Sequence, residues 1–151
     1  MLADYNIIKQ PDLPNSMKFP KNDRLCGKKI IDKLFKNGKH FTEGCLKTIY
    51  IYNSNPETTG AKVLIAAPRK LFRNAVVRNR IKRLVREAYR RQRYILDAYL
   101  MHCKGTLYIA FVYNGMVEAE YSDIENKIVL SLQRLISIIN KQQQENDNKN
   151  T

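Results

Sequence analysis

The chain has 151 residues, of which 44% are hydrophobic, and carries a formal net charge of +13 at pH 7. This length and apolar content are sufficient for one domain with a single core. The excess of positive charge indicates a polyanionic partner. Nucleic acid is favoured over a membrane, because no stretch approaches the ~20 apolar residues of a membrane span and no signal peptide is recognisable. We therefore expect a soluble, cytoplasmic protein.

The cysteines and histidines form no recognisable disulfide or metal pattern. Cys26, Cys45 and Cys103 are odd in number, widely spaced and without a CxxC pair, which predicts reduced thiols. His40 lies far from His102, and the adjacent His102 and Cys103 have too few partner ligands for a zinc site. We therefore predict no cofactor or metal bound by protein side chains.

Both ends of the chain are predicted to lie outside the folded domain. Residues 1–21 are polar and interrupted by three prolines, a composition that opposes regular structure and predicts an extended, mobile arm. Residues 142–151 are polar and low in complexity, which predicts a disordered tail. A single domain is therefore expected over residues 22–141.

The first half of this domain is predicted to contain one helix and two strands. Apolar residues recur at helical spacing over residues 27–37, where a terminal Asn-Gly pair predicts a left-handed stop. Residues 46–53 alternate as a strand, and residues 61–67 form a second apolar strand after a segment rich in turn formers. One face of the first strand is expected to carry Leu46, Thr48, Tyr50 and Tyr52. We expect the two strands to form a hairpin with a long loop.

The clearest functional signal lies in residues 68–93, which contain eleven Arg or Lys residues and one acid, Glu87. From Val77 onward, apolar residues at helical spacing predict a helix that lies on a core. This apolar stripe consists of Val77, Ile81, Leu84, Val85, Ala88 and Ile95. Asn79 is predicted to point away from the core. The flanks and outer face around it carry Arg78, Arg80, Lys82, Arg83, Arg86, Arg90 and Arg93.

This charge pattern favours polyanion binding over a merely solvated helix face. A solvated face normally mixes both signs of charge, whereas the only opposite-charge pairs at i,i+4 spacing here are Arg83–Glu87 and Glu87–Arg91. Arginine can bind a phosphate through two parallel hydrogen bonds, and the Asn79 amide can both donate and accept. The helix is therefore predicted to contact several phosphates.

The remainder of the domain is predicted to contain one buried strand and one amphipathic helix. Residues 105–113 are too short and too rich in β-formers for a helix. Ser122 and Glu125 have the spacing of a capping box in front of a helix that ends near Lys141. The resulting order α-β-β-α-β-α predicts an α/β (α+β) sandwich with one mixed sheet of three or four strands.

No catalytic residues are predicted on the protein itself. Nucleases need clustered carboxylates that hold metal ions or a positioned general base, and the acidic residues of this chain are scattered. Glycine-rich phosphate loops and nucleophile elbows are also absent from the sequence. The composition thus favours a binding protein over an autonomous enzyme.

Two sequence segments resemble the protein subunit of bacterial ribonuclease P. The run AVVRNRIKRLVREA at residues 75–88 resembles the RNR signature of that family, and the upstream LCGKKIIDKLFKNGKHF is similar to its first helix with the Phe-x-x-Gly ending. The resemblance covers residues 19–139 and departs at Arg73, where many members have glycine. It implies a left-handed βαβ crossover through the RNR helix, although such crossovers are normally right-handed.

The resemblance also implies a function and a set of site residues. In this family an RNA subunit carries the catalysis with Mg²⁺ ions, and the protein assists the endonucleolytic removal of the 5′ leader from precursor tRNA. The expected partners are therefore the ribonuclease P RNA subunit and precursor tRNA. Contact with the RNA subunit is carried over to Arg78, Asn79, Arg80, Lys82, Arg83 and Arg86. Leader binding, in a cleft between the RNR helix and the sheet, is carried over to Phe35, Tyr50 and Tyr52.

Alternatives remain open at this point. Ordinary core packing is an alternative role for Phe35 and Tyr50. A ribosomal-type or other structural RNA-binding protein without a processing role is the alternative function. A DNA-binding regulator is disfavoured, because the cationic face suits phosphate contact rather than base readout and no helix-turn-helix partner precedes it. We expect neither DNA nor a membrane as a partner.

Overall fold

The computed structural model describes residues 21–54, 58–115 and 120–149. Its helices are α1 (Lys28–Asn37), α2 (Ala75–Gln92), α3 (Tyr94–Leu100) and α4 (Tyr121–Lys149), preceded by a short 3-10 helix (Lys21–Asp23). Its strands are β1 (Lys39–Glu43), β2 (Leu46–Asn53), β3 (Thr59–Ala66) and β4 (Gly105–Tyr113). Apart from Lys21, the predicted N-terminal arm lies outside the described residues.

The strands form one mixed four-stranded sheet in the order β1-β2-β4-β3. The pairs β1–β2 and β2–β4 are antiparallel, whereas β3 and β4 are parallel. This architecture confirms the predicted α+β fold class. The predicted hairpin of β2 and β3 is wrong, because β4 lies between these strands and β2 instead forms its hairpin with β1. The segment from β3 through α2 and α3 to β4 is the βαβ crossover, and its handedness stays a prediction.

The sheet separates two apolar clusters of unequal size. The larger cluster lies between one face of the sheet and helices α2 and α4, and includes Tyr50, Ile81, Phe111 and Leu132. The smaller cluster lies under α1 on the opposite face and includes Leu34 and Ile49, with neighbours packed against it. Because successive strand residues point to opposite faces, β2, β3 and β4 each contribute to both clusters, whereas β1 contributes Phe41 to the larger one. The face on which a side chain lies therefore decides which helices it can contact.

Helix α1 ends at the predicted Asn37-Gly38 pair, but for a different reason. Gly38 has φ −68° and ψ 144°, which is extended backbone rather than the predicted left-handed conformation. A β-carbon at Gly38 would lie 2.3 Å from the Leu34 carbonyl oxygen and 2.7 Å from the Ile49 Cγ2 atom. Glycine is needed at this position because a β-carbon would collide both with the last turn of α1 and with Ile49 of β2.

Helix α4 also differs from its prediction at both ends. Ser122 lies inside the helix, so the predicted capping box is not formed, and the Glu125 carboxylate instead accepts a 2.6 Å hydrogen bond from the Tyr121 hydroxyl. The helix continues to Lys149 rather than ending near Lys141, so residues 142–149 of the predicted disordered tail are helical. This extension begins with three Gln residues and Glu145, which are good helix formers, and continues through the less favourable Asn146, Asp147 and Asn148.

Candidate RNA interface

Helix α2 has an apolar side that fixes it to the core. At its start, the Asn74 side chain accepts a 2.9 Å hydrogen bond from the Val76 backbone N–H and thereby caps the helix. The predicted stripe is confirmed, since Ile81, Val85, Ala88 and Ile95 are buried and Val77 and Leu84 are packed against the core. Sequence reasoning missed Tyr89, which is fully buried at i+4 from Val85 and packs its ring 5.7 Å from that of Phe111.

The helix ends sooner than predicted, and this places Arg93 differently. The stripe was predicted to run to Ile95 in one helix, but α2 ends at Gln92 and Ile95 belongs to α3. Arg93, predicted on the outer cationic face, lies at this junction and forms 2.8 Å ion pairs with both Asp23 and Asp97. Its guanidinium therefore joins the chain segment before α1 to the end of α2 and is not part of the cationic face.

The outer side of α2 presents a row of cations to solvent. Asn79, Arg80, Arg83 and Arg86 are exposed, and Lys82 is half-buried. Within the part of the chain that the structure describes, the side chains of Lys82, Arg83 and Arg86 have no ion-pair or hydrogen-bond partner. We call these three residues the free cationic row. Their charges are available for an external anion.

Toward the end of α2 the positive charge is partly neutralised by Glu87. Its carboxylate accepts hydrogen bonds from Arg90 at 2.6 and 2.9 Å and from Arg91 at 3.1 Å. The Glu87–Arg91 pair was predicted, whereas the predicted Arg83–Glu87 pair is not formed. The hydrogen bond from Arg90, together with the charges of both arginines, lowers the pKa of Glu87 despite its partial burial. The free cationic row thus lies in the middle of the helix, before the charges that Glu87 neutralises.

Arg78 is directed toward the loop that precedes the helix. Its Nη1 atom donates to the carbonyl oxygens of Phe72 and Arg73 at 2.9 and 2.8 Å. The same loop carries three exposed cations, which line an open depression of about 580 Å³: Arg69, Lys70 and Arg73. No role is predicted for these three residues from the sequence, although the basic segment that precedes the motif is visible there.

The structure does not bring the three predicted leader-binding residues together. Phe35 is 48% exposed on α1, which lies on one face of the sheet. Tyr50 is only 7% exposed and lies on the opposite face, where its ring packs 6.0 Å from that of Phe41. Tyr52 is on the same face as Tyr50, and its hydroxyl donates a 2.6 Å hydrogen bond to the Lys104 carbonyl.

The assignment of Tyr50 and Tyr52 to one cleft with Phe35 is therefore corrected. Strand side chains alternate between faces, so residues at even positions of β2 cannot reach the face that α1 covers. Burial raises the pKa of Tyr50, as expected for a hydroxyl removed from water. Tyr50 has the core-packing role that the sequence left open.

Sequence reasoning missed an aromatic residue on the α1 face of the sheet. Tyr108 of β4 is half-buried, stands opposite Ile51 in the strand register and packs against the smaller apolar cluster. Lys62 of the neighbouring β3 is its register partner on the other side and is exposed. The alternation within β4 was readable from the sequence, but the face toward α1 could be assigned only once the sheet order was known.

The described residues contain no grouping of three or more His, Cys, Asp or Glu side chains that could hold a metal ion. Among the helices of that same part of the chain, none is long and apolar enough to cross a membrane. A mixed α+β domain with a core-anchored helix that displays unpaired cations defines the class of this protein. It is a basic protein with an exposed cationic helix face.

Comparisons with known proteins agree with this class and narrow it. The family model described as Ribonuclease P matches residues 19–136. The ribonuclease P protein component of Porphyromonas gingivalis is 32% identical over 122 residues, which cover 81% of this chain and 89% of that protein. The component of Chlorobaculum tepidum is 35% identical over 107 residues, covering 66% and 70% of the two chains. The chain belongs to the ribonuclease P protein family.

Solved structures of ribonuclease P proteins share the fold. The protein from Thermotoga maritima superposes with a TM-score of 0.59 at 22% identity, over 74% of this chain and 96% of that one. The protein from Staphylococcus aureus gives a TM-score of 0.56 at 19% identity, over 76% and 97% of the two chains. The family assignment makes this chain a protein component of an endoribonuclease that acts in tRNA 5′ maturation, and the ribosomal-type alternative is not favoured.

Proposed function

We propose that this protein binds the catalytic RNA subunit of ribonuclease P through the outer side of α2. The observation that carries the proposal is the free cationic row of Lys82, Arg83 and Arg86, since these charges have no partner in the described part of the chain while the opposite side of the helix is buried. Asn79 and Arg80 are exposed on the same helix and extend this contact surface. Arginine forks and a lysine point charge suit phosphate oxygens.

Arg78 has a different part in this proposal from the one its motif position implies. One of its guanidinium nitrogens is already hydrogen-bonded to two loop carbonyls, at Phe72 and Arg73. It therefore supports the RNA interface by holding the loop, with its remaining donors available to a phosphate. Catalysis by the RNA subunit with Mg²⁺ ions is part of the same proposal, and it is supported by the membership of this chain in the ribonuclease P protein family.

The 5′ leader of precursor tRNA is proposed to lie on the α1 face of the sheet. Phe35 is exposed there, and Tyr108 offers a half-buried ring on the same side of the sheet. Aromatic side chains bind single-stranded bases by stacking, which tolerates many leader sequences. Exposed Lys62, the register partner of Tyr108, would add a contact to the leader backbone.

A reconstitution assay tests the proposed function. The purified protein, added to a bacterial ribonuclease P RNA at low Mg²⁺, is expected to raise the cleavage rate of precursor tRNA, because its cations replace part of the Mg²⁺ that otherwise screens RNA phosphates. A variant with Lys82, Arg83 and Arg86 all changed to Ala is expected to lose most of this stimulation. Its RNA affinity should also become less salt-dependent, by about two to three units of log–log slope.

The matched control removes the same number of charges elsewhere. Lys104, Lys141 and Lys149 are exposed and lie outside α1 and α2. Changing these three residues to Ala should leave stimulation and salt dependence close to wild type. A wild-type protein that fails to stimulate cleavage would refute the proposed function. Equal losses in the two triple variants would refute the assignment to α2.

A further inference from the structure

A small cavity at the outer edge of β3 brings together two arginines that are distant in sequence. Its volume is about 170 Å³, and Arg24 and Arg86 line it from different elements. Between them the cavity wall is apolar and consists of Leu25, Val63, Leu64 and Ile65. Arg86 comes from the free cationic row, whereas Arg24 precedes α1. The cavity therefore lies where the chain segment before α1 meets the RNA-facing helix.

The segment that carries Arg24 is held in place by three separate contacts. Arg24 forms a parallel bridge with Val63, and the Leu25 backbone N–H donates a 2.9 Å hydrogen bond to the Val63 carbonyl. The Leu25 side chain is only 4% exposed. The preceding Asp23 is fixed by its ion pair with Arg93. The backbone at Arg24 is therefore positioned before any ligand arrives, which reduces the entropy lost on binding.

We propose that this cavity binds one phosphodiester group of RNA between the Arg24 and Arg86 guanidinium groups. A guanidinium can donate two parallel hydrogen bonds to phosphate oxygens, and a phosphate between the two arginines would meet positive charge from both. The wall also offers surface for the attached ribose. This inference rests on the proposed function, and the phosphodiester belongs either to the RNA subunit or to the leader of precursor tRNA.

Substitution of Arg24 gives the first test. Arg24→Ala is expected to weaken RNA binding about tenfold, since hydrogen bonds to charged groups are lost, and to reduce the log–log salt slope by about one unit. Arg24→Lys keeps the charge but not the fork, so it should retain the salt slope with an intermediate affinity. The control is Lys104→Ala, which removes one exposed charge beside the start of β4, at the other end of the β3–β4 pair.

Cys26 provides a second readout that does not depend on activity. It lines the same cavity and is exposed, whereas Cys45 is half-buried and Cys103 is buried. Iodoacetamide labelling of the full-length protein, followed by mass spectrometry of the peptide containing Cys26, therefore reports occupancy of the cavity. Bound RNA should slow Cys26 labelling at least fivefold, and Arg24→Ala should abolish this protection at the same RNA concentration.

The arms of the labelling experiment identify the source of the phosphodiester. Protection by the RNA subunit alone assigns the group to that RNA. Protection that appears only when the assembled enzyme binds precursor tRNA, and not mature tRNA, assigns it to the leader. If Cys26 stays reactive in both cases and Arg24→Ala behaves like Lys104→Ala while Arg83→Ala still weakens RNA binding, the cavity proposal is overturned and the proposed function stands. Failure of the wild-type protein to bind the RNA would instead overturn both.

Discussion

Arg78 and Phe72 are joined by a 2.9 Å hydrogen bond from the Arg78 guanidinium to the Phe72 carbonyl oxygen. The same nitrogen reaches the Arg73 carbonyl at 2.8 Å. The Phe72 ring in turn packs 5.8 Å from that of Tyr113, at the end of the central strand β4. One arginine of the RNR motif thus connects the first turn of α2, the basic loop and the core. Its role is therefore partly structural, unlike that of the exposed residues beside it in the motif.

Arg78→Ala is expected to lower the free energy of unfolding by about 1–3 kcal/mol, because two backbone carbonyls lose a charged donor. Arg83→Ala, which removes an exposed residue without a partner in the described structure, should leave stability within about 0.5 kcal/mol of wild type. Urea denaturation of both variants measures the difference. Equal stabilities would show that the hydrogen bonds to Phe72 and Arg73 contribute nothing to folding.

Phe35→Ala is expected to weaken the binding of precursor tRNA to the assembled enzyme by about 1–3 kcal/mol, the value of one base stacked on an aromatic ring. Mature tRNA lacks the leader and should bind as before, and the salt slope should not change because stacking releases no counterions. Tyr50→Phe is the control, since it keeps the ring that packs on Phe41 and alters only a buried hydroxyl. Equal losses for precursor and mature tRNA in the Phe35 variant would remove Phe35 from the leader path.

Leu132→Ala is expected to destabilise the protein by about 2–5 kcal/mol, because Leu132 is 0% exposed between α4 and the sheet and its truncation leaves a cavity. Leu130 of the same helix is 36% exposed. Leu130→Ala makes the same chemical change and should cost below about 1 kcal/mol. Thermal unfolding of the two variants checks this order, and similar losses would mean that α4 does not pack through the Leu132 side.

Glu87→Gln is expected to tighten RNA binding modestly at low salt, because it removes a negative charge beside the free cationic row and releases Arg90 and Arg91 from their carboxylate partner. Stability at pH 7 should fall by about 0.2–1 kcal/mol, as is typical of exposed ion pairs. Affinity measured at two salt concentrations tests the first expectation. An unchanged or weaker affinity would indicate that Arg90 and Arg91 do not approach RNA.

The Glu87→Gln variant also allows a prediction of how stability depends on pH. Arg90 and Arg91 hold the pKa of Glu87 below its ordinary value in the folded state. A lowered folded-state pKa contributes stability above the unfolded pKa, and this contribution is lost as the pH falls through the folded value. The stability difference between wild type and Glu87→Gln should therefore be constant near neutral pH and disappear in acid. Denaturation midpoints measured from pH 7 down to pH 3 follow this loss.

Local patterns in the sequence were sufficient to predict most helices and strands, including the cationic helix. The apolar stripe of α2 and the bounds of β2 depend on neighbouring residues, and both predictions hold. The pairing of β2 with β4 was not predictable in the same way, because it joins Tyr50 to Ile109 across an intervening strand and two helices. Strand alternation groups side chains into two faces but does not reveal which face a distant helix covers. The family resemblance therefore suggested Tyr50 and Tyr52 for leader binding without showing which face of the sheet they occupy, and Tyr108 was not predicted.

At the ends of several helices, specific contacts explain why the structure differs from the prediction based on local sequence. Helix α1 does end at the predicted Asn37-Gly38 pair. Glycine is required there because a side chain would not fit beside the last turn of α1 and Ile49, and not because the backbone makes a left-handed turn. Arg93 follows the helical pattern of α2, but it lies at the junction with α3, where it forms ion pairs with Asp23 and Asp97. Such contacts join residues that are distant in sequence or depend on three-dimensional spacing. They cannot be predicted from the pattern of a single segment.

The position of β4 in the sheet has a consequence for the order in which the protein folds during synthesis. This strand pairs on both sides, with β2 and β3, and yet it follows α2 in the chain. The Tyr89 ring of α2 rests on Phe111 of β4, so a ribosome that has released only residues up to Leu100 exposes α2 without its supporting surface. In proteins most of the stability of a helix comes from the packing of its apolar face. The nascent chain therefore acquires a packed helix α2 late, after β4 has emerged and completed the sheet.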